Sequence, residues 1–358
     1  MNNSNQKPIL GDRYEDDGEA IWNTNESQTE FINQLNEKIR TKEYEFESID
    51  CVVCESNNFQ LLSKKDKFGL IHSVVICKKC GLVQTNPRMT KNSYQKFYDS
   101  EYRSSGMGKT LSKDKFFLKQ KKRGWRIHNY LEKITKKKIE NKFVVEIGTG
   151  AGGILQFFKE KNNQVLGLDL GSEYIEYGKK QGLDLKVGTI ELLKNLEKKP
   201  DIVIYSHVLE HTTNPVEDFK NLRKYLKPES IVYIEVPGIK FLTLSYRQDF
   251  LQYLNFAHTY HFTLRTLNNC LKKAGFKMIN GNEVAIGLFQ PTEENNSFVS
   301  DYESTIEFLQ KLEDIHSSKF SSVKIKFKMI QLLTQILNIT GTREPIELLY
   351  YKLKTRKY

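Results

Sequence analysis

The run Val144-Val145-Glu146-Ile147-Gly148-Thr149-Gly150-Ala151-Gly152-Gly153 constrains this chain more than any other. An apolar, β-branched stretch ends in closely spaced glycines, and an amphipathic stretch follows at once. Glycines at such a junction let the backbone turn tightly and approach a ligand, as in nucleotide-binding βαβ units. From Lys142 onward strand-like and helix-like runs alternate: KFVVEIG, GGILQFFKEK, NQVLGLDL, SEYIEYGKKQG, LDLKVG, DIVIYS, PVEDFKNLRKYLKP and SIVYIEVPG. Short β-rich runs separated mostly by helical patterns predict a mostly parallel sheet. The last pair, FKMINGNEVAIGLFQP, differs, because two strand-like runs meet at Asn280-Gly281-Asn282, an antiparallel hairpin signal. The expected fold class is α/β: a doubly wound, mostly parallel seven-stranded sheet ending in an antiparallel hairpin.

The remaining sequence divides around that unit. Residues 1–45 read as a polar extension, loosely packed or disordered over 1–24, with a short helix carrying Phe31, Leu35 and Ile39 on one face. Residues 46–92 hold four of the five cysteines, 93–141 read as a basic helical linker, 142–290 hold the alternating pattern, and 291–358 form a basic helical C-terminal extension. Tyr94, Tyr98 and Tyr102 share a helical face at the start of the linker. The net charge of +11 is uneven: residues 1–50 carry 12 acids and 5 bases, whereas residues 51–142 carry 22 bases and 7 acids. Such a local positive field favours an anionic partner.

The glycines satisfy both GxGxG and GxGxxG, and Asp169 follows Gly148 by 21 residues, where a carboxylate can accept both ribose hydroxyls. Those features leave a dinucleotide site and a methyl-donor site equally open. Glu146, two residues before the first glycine, suits a cationic sulfonium and α-amino group rather than a pyrophosphate. Over residues 142–290 the chain resembles class I S-adenosylmethionine-dependent methyltransferases, through VVEIGTGAGG, Asp169, DIVIYSHVLEHTTNP and LRKYLKPESIVYIEVPG in that order. The resemblance implies S-adenosylmethionine as cofactor. Glu146, Gly148, Thr149, Gly150 and Gly152 would border its methionine part, with Asp169 on the ribose, Thr189 and Ile190 near the adenine, and Ser206 and His207 beside the donor. Glu191 follows where that family often places an adenine-binding acid earlier in the turn.

Cys51-x2-Cys54 and Cys77-x2-Cys80 have zinc-ribbon spacing, and two such knuckles aim four thiolates at one ion. A closed shell of four protein ligands predicts structural Zn2+, not a catalytic metal. Gly81 stands where the second knuckle needs open backbone geometry, and Cys270 reads as a buried small hydrophobe. Placed ahead of the methyltransferase-like region, this segment narrows the resemblance to a subgroup with an N-terminal zinc-binding segment, many of them sugar methyltransferases in surface-glycan pathways. In that subgroup the zinc segment helps form the acceptor side, and a tyrosine after it, here Tyr98 or Tyr102, reaches the donor.

Four of the seven histidines fall in two short segments at the expected carboxyl ends of strands: His207 and His211 in SHVLEH, His258 and His261 in FAHTYHFT. Histidine titrates near neutrality, so His258, His261 and His211 are the candidate bases. The leading expectation is methyl transfer to a sugar, nucleotide-linked or part of a surface-glycan precursor, with a small-molecule or glycan acceptor that is anionic. RNA methylation and a non-catalytic zinc-dependent interaction role are the alternatives. RNA is disfavoured by the scarcity of aromatics on the zinc loops beyond Phe59 and Phe68. GMGKT at 106–110 mimics a phosphate loop, but Arg103 occupies the required upstream glycine position. Sparse cysteine, no signal-like start and no long apolar run predict a cytoplasmic protein. Residues 321–339, basic and then apolar, leave peripheral membrane contact open.

Overall fold

The computed structural model describes residues 6–97 and 112–317. Tyr98, Tyr102, the GMGKT segment and residues 321–339 lie outside them. In chain order the elements are α1 (Glu26–Arg40), β1 (Phe46–Glu47), β2 (Phe59–Lys65), β3 (Ile71–Cys77), β4 (Val83–Thr85), β5 (Arg88–Met89), α2 (Lys91–Phe97) and α3 (Lys113–Thr135). Then come β6 (Phe143–Ile147), α4 (Gly153–Glu160), β7 (Gln164–Asp169), α5 (Ser172–Lys180), β8 (Leu185–Val187), β9 (Ile202–Ser206), α6 (Pro215–Lys224) and β10 (Ile231–Glu235). The chain continues through α7 (Phe250–Tyr253), β11 (Tyr260–His261), α8 (Leu264–Lys273), β12 (Phe276–Asn282), β13 (Ile286–Pro291) and α9 (Tyr302–Ser317).

The central sheet has seven strands in the order β12-β13-β10-β9-β6-β7-β8. Strands β8 to β10 pair in parallel, whereas β13 runs antiparallel to both β10 and β12. Every residue of β6 and β9 is buried, as a sheet covered on both faces requires of its central strands. The hairpin exists, but its turn lies beyond Asn280-Gly281-Asn282, which belong to β12. Asn282 itself closes the turn. Its Oδ1 accepts the Val284 amide at 3.0 Å and its carbonyl the Ala285 amide at 2.9 Å, while Ala285 takes a left-handed φ of 61°. A register shift between Met278 and Asn280 moves the Gly281 pair into the ladder, opposite Gly287.

The cysteine-bearing segment forms a second sheet, β11-β4-β3-β2. Its edge strand β11 comes from the excursion after β10, pairing Tyr260 with Gln84 and His261 with Val83. The two sheets thus share one chain excursion and one core. Cys51, Val53, Cys77, Cys80 and Leu82 pack in the same buried cluster as Val145, Val203 and Phe262. Asp66 reinforces the seam: its carboxylate accepts the amides of Phe68 at 2.8 Å, Leu70 at 3.1 Å and, across the seam, Phe256 at 2.9 Å.

Helix α3, read from the sequence as linker, begins at an N-cap where Ser112 accepts the Lys115 amide. Phe117, Gln120, Gly124, Ile127 and Leu131 form its buried stripe, at the three- and four-residue spacing of a helix face laid on a core. Gly124 sits at its crossing with α4, where a β-carbon would meet the Ile154 carbonyl. The N-terminal segment is also more ordered than its polar composition predicts. Leu10 and Tyr14 are buried, Arg13 Nη2 bonds to both carboxylate oxygens of Asp249 at 2.8 and 2.9 Å, and Tyr14 bonds to Glu313 of α9. Two apolar anchors and one guanidinium hold a stretch whose average hydropathy hides them. Among the described residues no helix is long and apolar enough to cross a membrane.

Candidate active site and cysteine cluster

The glycine loop leaves β6 at the carboxyl edge of the sheet. Gly148, at a φ of 69°, has no room for a side chain, because a β-carbon would enter the Val208 side chain. Gly152, at a φ of 78°, is the N-cap of α4. Asp169, at the end of β7, accepts the Gly150 amide through Oδ2 at 2.8 Å and the Gly171 amide through Oδ1 at 2.7 Å. The two loops are therefore tied together at the carboxylate. Thr189 follows β8 on the exposed side, and the Gly188 amide bonds to the Asp169 carbonyl at 3.0 Å.

Glu146 is 1% exposed and its Oε2 accepts the Thr149 hydroxyl at 2.8 Å. Burial pushes its carboxyl up to about 8, against the opposing pull of Thr149 and Arg123. A buried carboxyl without a full cationic partner, under a glycine-rich loop, fits a cationic ligand.

Helix α3, read from the sequence only as a basic linker, contributes three polar side chains here. Gln120 bonds to the Thr149 carbonyl at 3.0 Å and accepts the Gly153 amide at 3.3 Å, bracing both sides of the glycine loop. Arg123 reaches the Ser206 hydroxyl at 3.3 Å. Arg126 grips Glu235, at the end of β10, through bonds of 2.5 and 2.7 Å. Burial alone would raise the Glu235 carboxyl, but Arg126, His207 and Arg123 outweigh it and hold it below the usual carboxylate range. A regular apolar spacing in α3 was the one available signal, since it marks a helix packed on a core.

The histidines gather where the second sheet meets this edge. His207, at a φ of 58°, places Nδ1 3.3 Å from Glu210 Oε1 and Nε2 3.9 Å from Glu235. The His211 Nδ1 bonds to the Ala257 carbonyl at 2.8 Å, and its ring meets the His258 ring at 4.9 Å and 81°. His261 lies deeper, 5.9 Å from His258, with His72 of β3 beyond it at 6.4 Å. Burial holds His258 and His261 well below the ordinary imidazole value and His72 down to about 3, so all three are neutral at pH 7. Of the three candidate bases, His261 is fully buried and neither ring nitrogen has a hydrogen-bond partner. His258, by contrast, lines a cavity of about 160 Å³ together with Arg88, Tyr94, Thr85, His72 and Phe256. Tyr94 of α2 donates to the Ala257 carbonyl and accepts the Thr259 hydroxyl at 3.2 Å, so it ties the backbone before His258 to the side chain after it.

The four cysteines converge. Cys51 and Cys80 Sγ are 3.4 Å apart, as are Cys54 and Cys77, and all four lie within 4.8 Å of one another. Each knuckle closes by an amide bonding back four residues, Glu55 to Cys51 and Gly81 to Cys77, both at 2.8 Å and both from a left-handed residue. Four buried or half-buried sulfurs with no disulfide among them could hold zinc. Cys270, buried on α8, stands apart from them.

Residues 118–280 match the family model described as a methyltransferase domain. The chain carries a methyltransferase domain. It is similar in structure to magnesium protoporphyrin IX methyltransferase from Synechocystis PCC 6803 with bound SAH: 13% identity over 57% of this chain and 100% of that one, TM-score 0.41. It is also similar to PKMT2 from Rickettsia typhi in complex with AdoHcy, at 20% identity over 42% of this chain and 43% of that one, TM-score 0.35. Streptomyces venezuelae DesVI aligns at 19% identity over 34% of this chain and 55% of that one, TM-score 0.30. No curated protein matches the sequence.

Proposed function

We propose that this protein transfers a methyl group from S-adenosylmethionine to a sugar, nucleotide-linked or within a surface-glycan precursor. The observation that carries the reading is the buried, under-compensated Glu146 beneath the glycine loop, at the carboxyl edge of the sheet where His207 and His211 follow β9. When bound, the donor supplies an electrophilic methyl group. The chain's residues then bind, orient and take a proton. Glu146 faces the cationic methionine part, and Gly148, Thr149, Gly150 and Gly152 give it close backbone approach. Asp169 meets the ribose, Thr189 and Ile190 the adenine, and Ser206 and His207 flank the donor.

The acceptor side is the cavity beside the second sheet, bounded by α1, β3 to β5, α2 and the excursion around His258. Its walls are largely carbon, from Ile39, Phe46, Met89 and Phe256, with Arg88 and His258 as polar points. A small carbon-lined space with one guanidinium suits the apolar face of a single sugar ring better than a polynucleotide. In this reading the zinc-binding cysteines hold β3 and β4 in place as one wall, and His258 receives the acceptor's proton. His258→Ala is expected to slow methyl transfer by about 10²–10⁴-fold with donor affinity unchanged. His261→Ala, in a fully buried position, is expected to lower the unfolding midpoint while leaving the rate within a few fold. Single-turnover kinetics and thermal melts separate the two, and full activity in His258→Ala removes it as base.

The experiment that tests the function uses S-adenosylmethionine with a labelled methyl group. Zinc-loaded protein is given nucleotide-sugar, glycolipid and RNA fractions. Label is expected in a sugar-bearing fraction; label in RNA alone overturns the proposal.

A further inference from the structure

We propose that the outer face of α3 is a docking surface for an anionic lipid bilayer. Phe117, Gln120, Gly124, Ile127 and Leu131 turn one side of this helix onto the core. Lys115, Leu118, Lys119, Lys122, Trp125 and Lys133 stand on the other side, all exposed, Leu118 at 57% and Trp125 at 49%. At 3.6 residues per turn these six fall within an arc of roughly 120° and run for about 27 Å along the helix. A single exposed leucine means nothing. Leu118, however, shares its face with a tryptophan about two turns on, and lysines flank both.

The bases of α3 sort by side. Lys113, Lys121 and Arg126 each meet an acid of the neighbouring structure, Glu173, Glu160 and Glu235, and Arg123 reaches Ser206. Among the described residues Lys115, Lys119, Lys122 and Lys133 have no ion-pair partner. The acids of the helix itself are taken, Asp114 by the Tyr177 hydroxyl at 2.6 Å and Glu132 by the Ile139 amide at 3.1 Å. Such a face costs the helix stability. Lys115 lies in the first turn, where the macrodipole disfavours a cation, and it repels Lys119 at i,i+4 as Lys119 repels Lys122 at i,i+3. A surface of negative charge offsets both penalties. The rest of the chain does not supply one: residues 1–5 carry no charged side chain, 98–111 carry two acids and two bases, and 318–358 carry two acids and nine bases. The occupant is therefore foreign to the chain.

Between a bilayer and a nucleic acid, the side chains favour the bilayer. Sequence-tolerant nucleic-acid binding stacks successive bases on aromatic side chains, and this face has one. Leucine and tryptophan among lysines are instead the composition of an interfacial anchor. The ammonium groups meet lipid phosphates and the two apolar side chains enter the headgroup layer, while α3 stays packed on the core.

The surface is independent of the acceptor, and its test needs none. Trp22 and Trp125 are the two tryptophans of the chain, so Trp22→Phe leaves Trp125 as a reporter in the full-length protein. With vesicles of equal parts phosphatidylcholine and phosphatidylglycerol, Trp125 emission is expected to move to shorter wavelength, to be quenched by brominated lipid and to recover as salt is raised. Vesicles of phosphatidylcholine alone are expected to leave it unchanged. Lys119→Glu combined with Lys122→Glu is expected to weaken co-sedimentation with the mixed vesicles by about tenfold or more, with melting temperature and donor affinity unchanged. Leu118→Ser keeps every charge and is expected to weaken it a few fold. Co-sedimentation unaltered in both variants overturns the surface, as does no co-sedimentation of the wild-type protein. So does co-sedimentation with Trp125 emission unmoved, which would put the contact elsewhere in the chain, or a Trp125 response to RNA with none to vesicles.

Discussion

Glu146→Gln is expected to weaken S-adenosylmethionine binding by roughly 10- to 100-fold at pH 7.5, the worth of one charge-assisted contact in a buried site. It should also erase the pH dependence of that binding. Burial holds the free carboxyl's proton up to about 8, whereas a cationic donor favours the ionised form. Binding between pH 6 and 7.5 therefore expels a proton, and wild-type affinity rises with pH, by at most about tenfold per unit. Glutamine cannot ionise, so its affinity stays flat. The stability of the free protein runs the other way. A carboxyl whose proton is held more tightly folded than unfolded contributes stability below about pH 4.3, its unfolded value, and loses it as pH rises toward 8. Glu146→Gln escapes that loss and is expected to melt no lower than wild type at pH 8. Calorimetric titration at pH 6, 7 and 7.5, in buffers of different ionisation enthalpy, reads affinity and proton release together. A wild-type affinity independent of pH over that range would remove Glu146 from the donor site.

Cys51→Ser is expected to cost more than any other single change. Tetrathiolate zinc binding is worth about 10–16 kcal/mol apparent in small zinc-dependent folds, and loss of one thiolate forfeits much of it. The damage should not stay local. Cys51 shares a buried cluster with Val145, Val203 and Phe262, and β4 carries β11, the strand that bears His261. Limited proteolysis of the full chain with mass spectrometry should show new cuts within residues 46–92 and in the excursion around 246–262. Chelation of the wild-type protein should reproduce the pattern. Methyl transfer is expected to fall with it, while donor binding, proposed here to rest on the glycine loop and Asp169, is expected to persist in part. Protection of residues 46–92 in a zinc-free Cys51→Ser protein would contradict a structural role for the metal.

What could be read without coordinates was whatever consecutive residues carry by themselves. Short continuous β-rich runs and the amphipathic stretches between them placed the strands and helices of 142–290, because a strand covered on both faces is mostly apolar along its length and a packed helix on one stripe. Closely spaced glycines marked the loop at Gly148–Gly152, and paired CxxC knuckles marked a metal-sized convergence of sulfur, because both are short-range geometry. Even the hairpin was legible, although its turn fell at Asn282–Ala285 rather than at Asn280-Gly281-Asn282. Turn chemistry is local, but the bulge that shifts the ladder depends on β13.

The arrangement of the site was a different matter. Nothing in FFLKQKKRGWRIHNYLEKIT says that Gln120 braces the glycine loop, or that Arg126 meets Glu235, 109 residues away. Nor does FAHTYHFT say that His261 is sealed in while His258 borders a cavity, or that His72 stands behind both. Leu10 and Tyr14 were lost within a polar average. Each of these facts is a pairing between segments far apart in the chain, decided by which faces bury each other once the two sheets close. The sequence alone determined the local chemistry, a glycine-rich loop, an acid beneath it and four converging thiols. Only the tertiary structure decided which charges face each other, because burial, and the demand for partners that burial creates, belongs to no segment by itself.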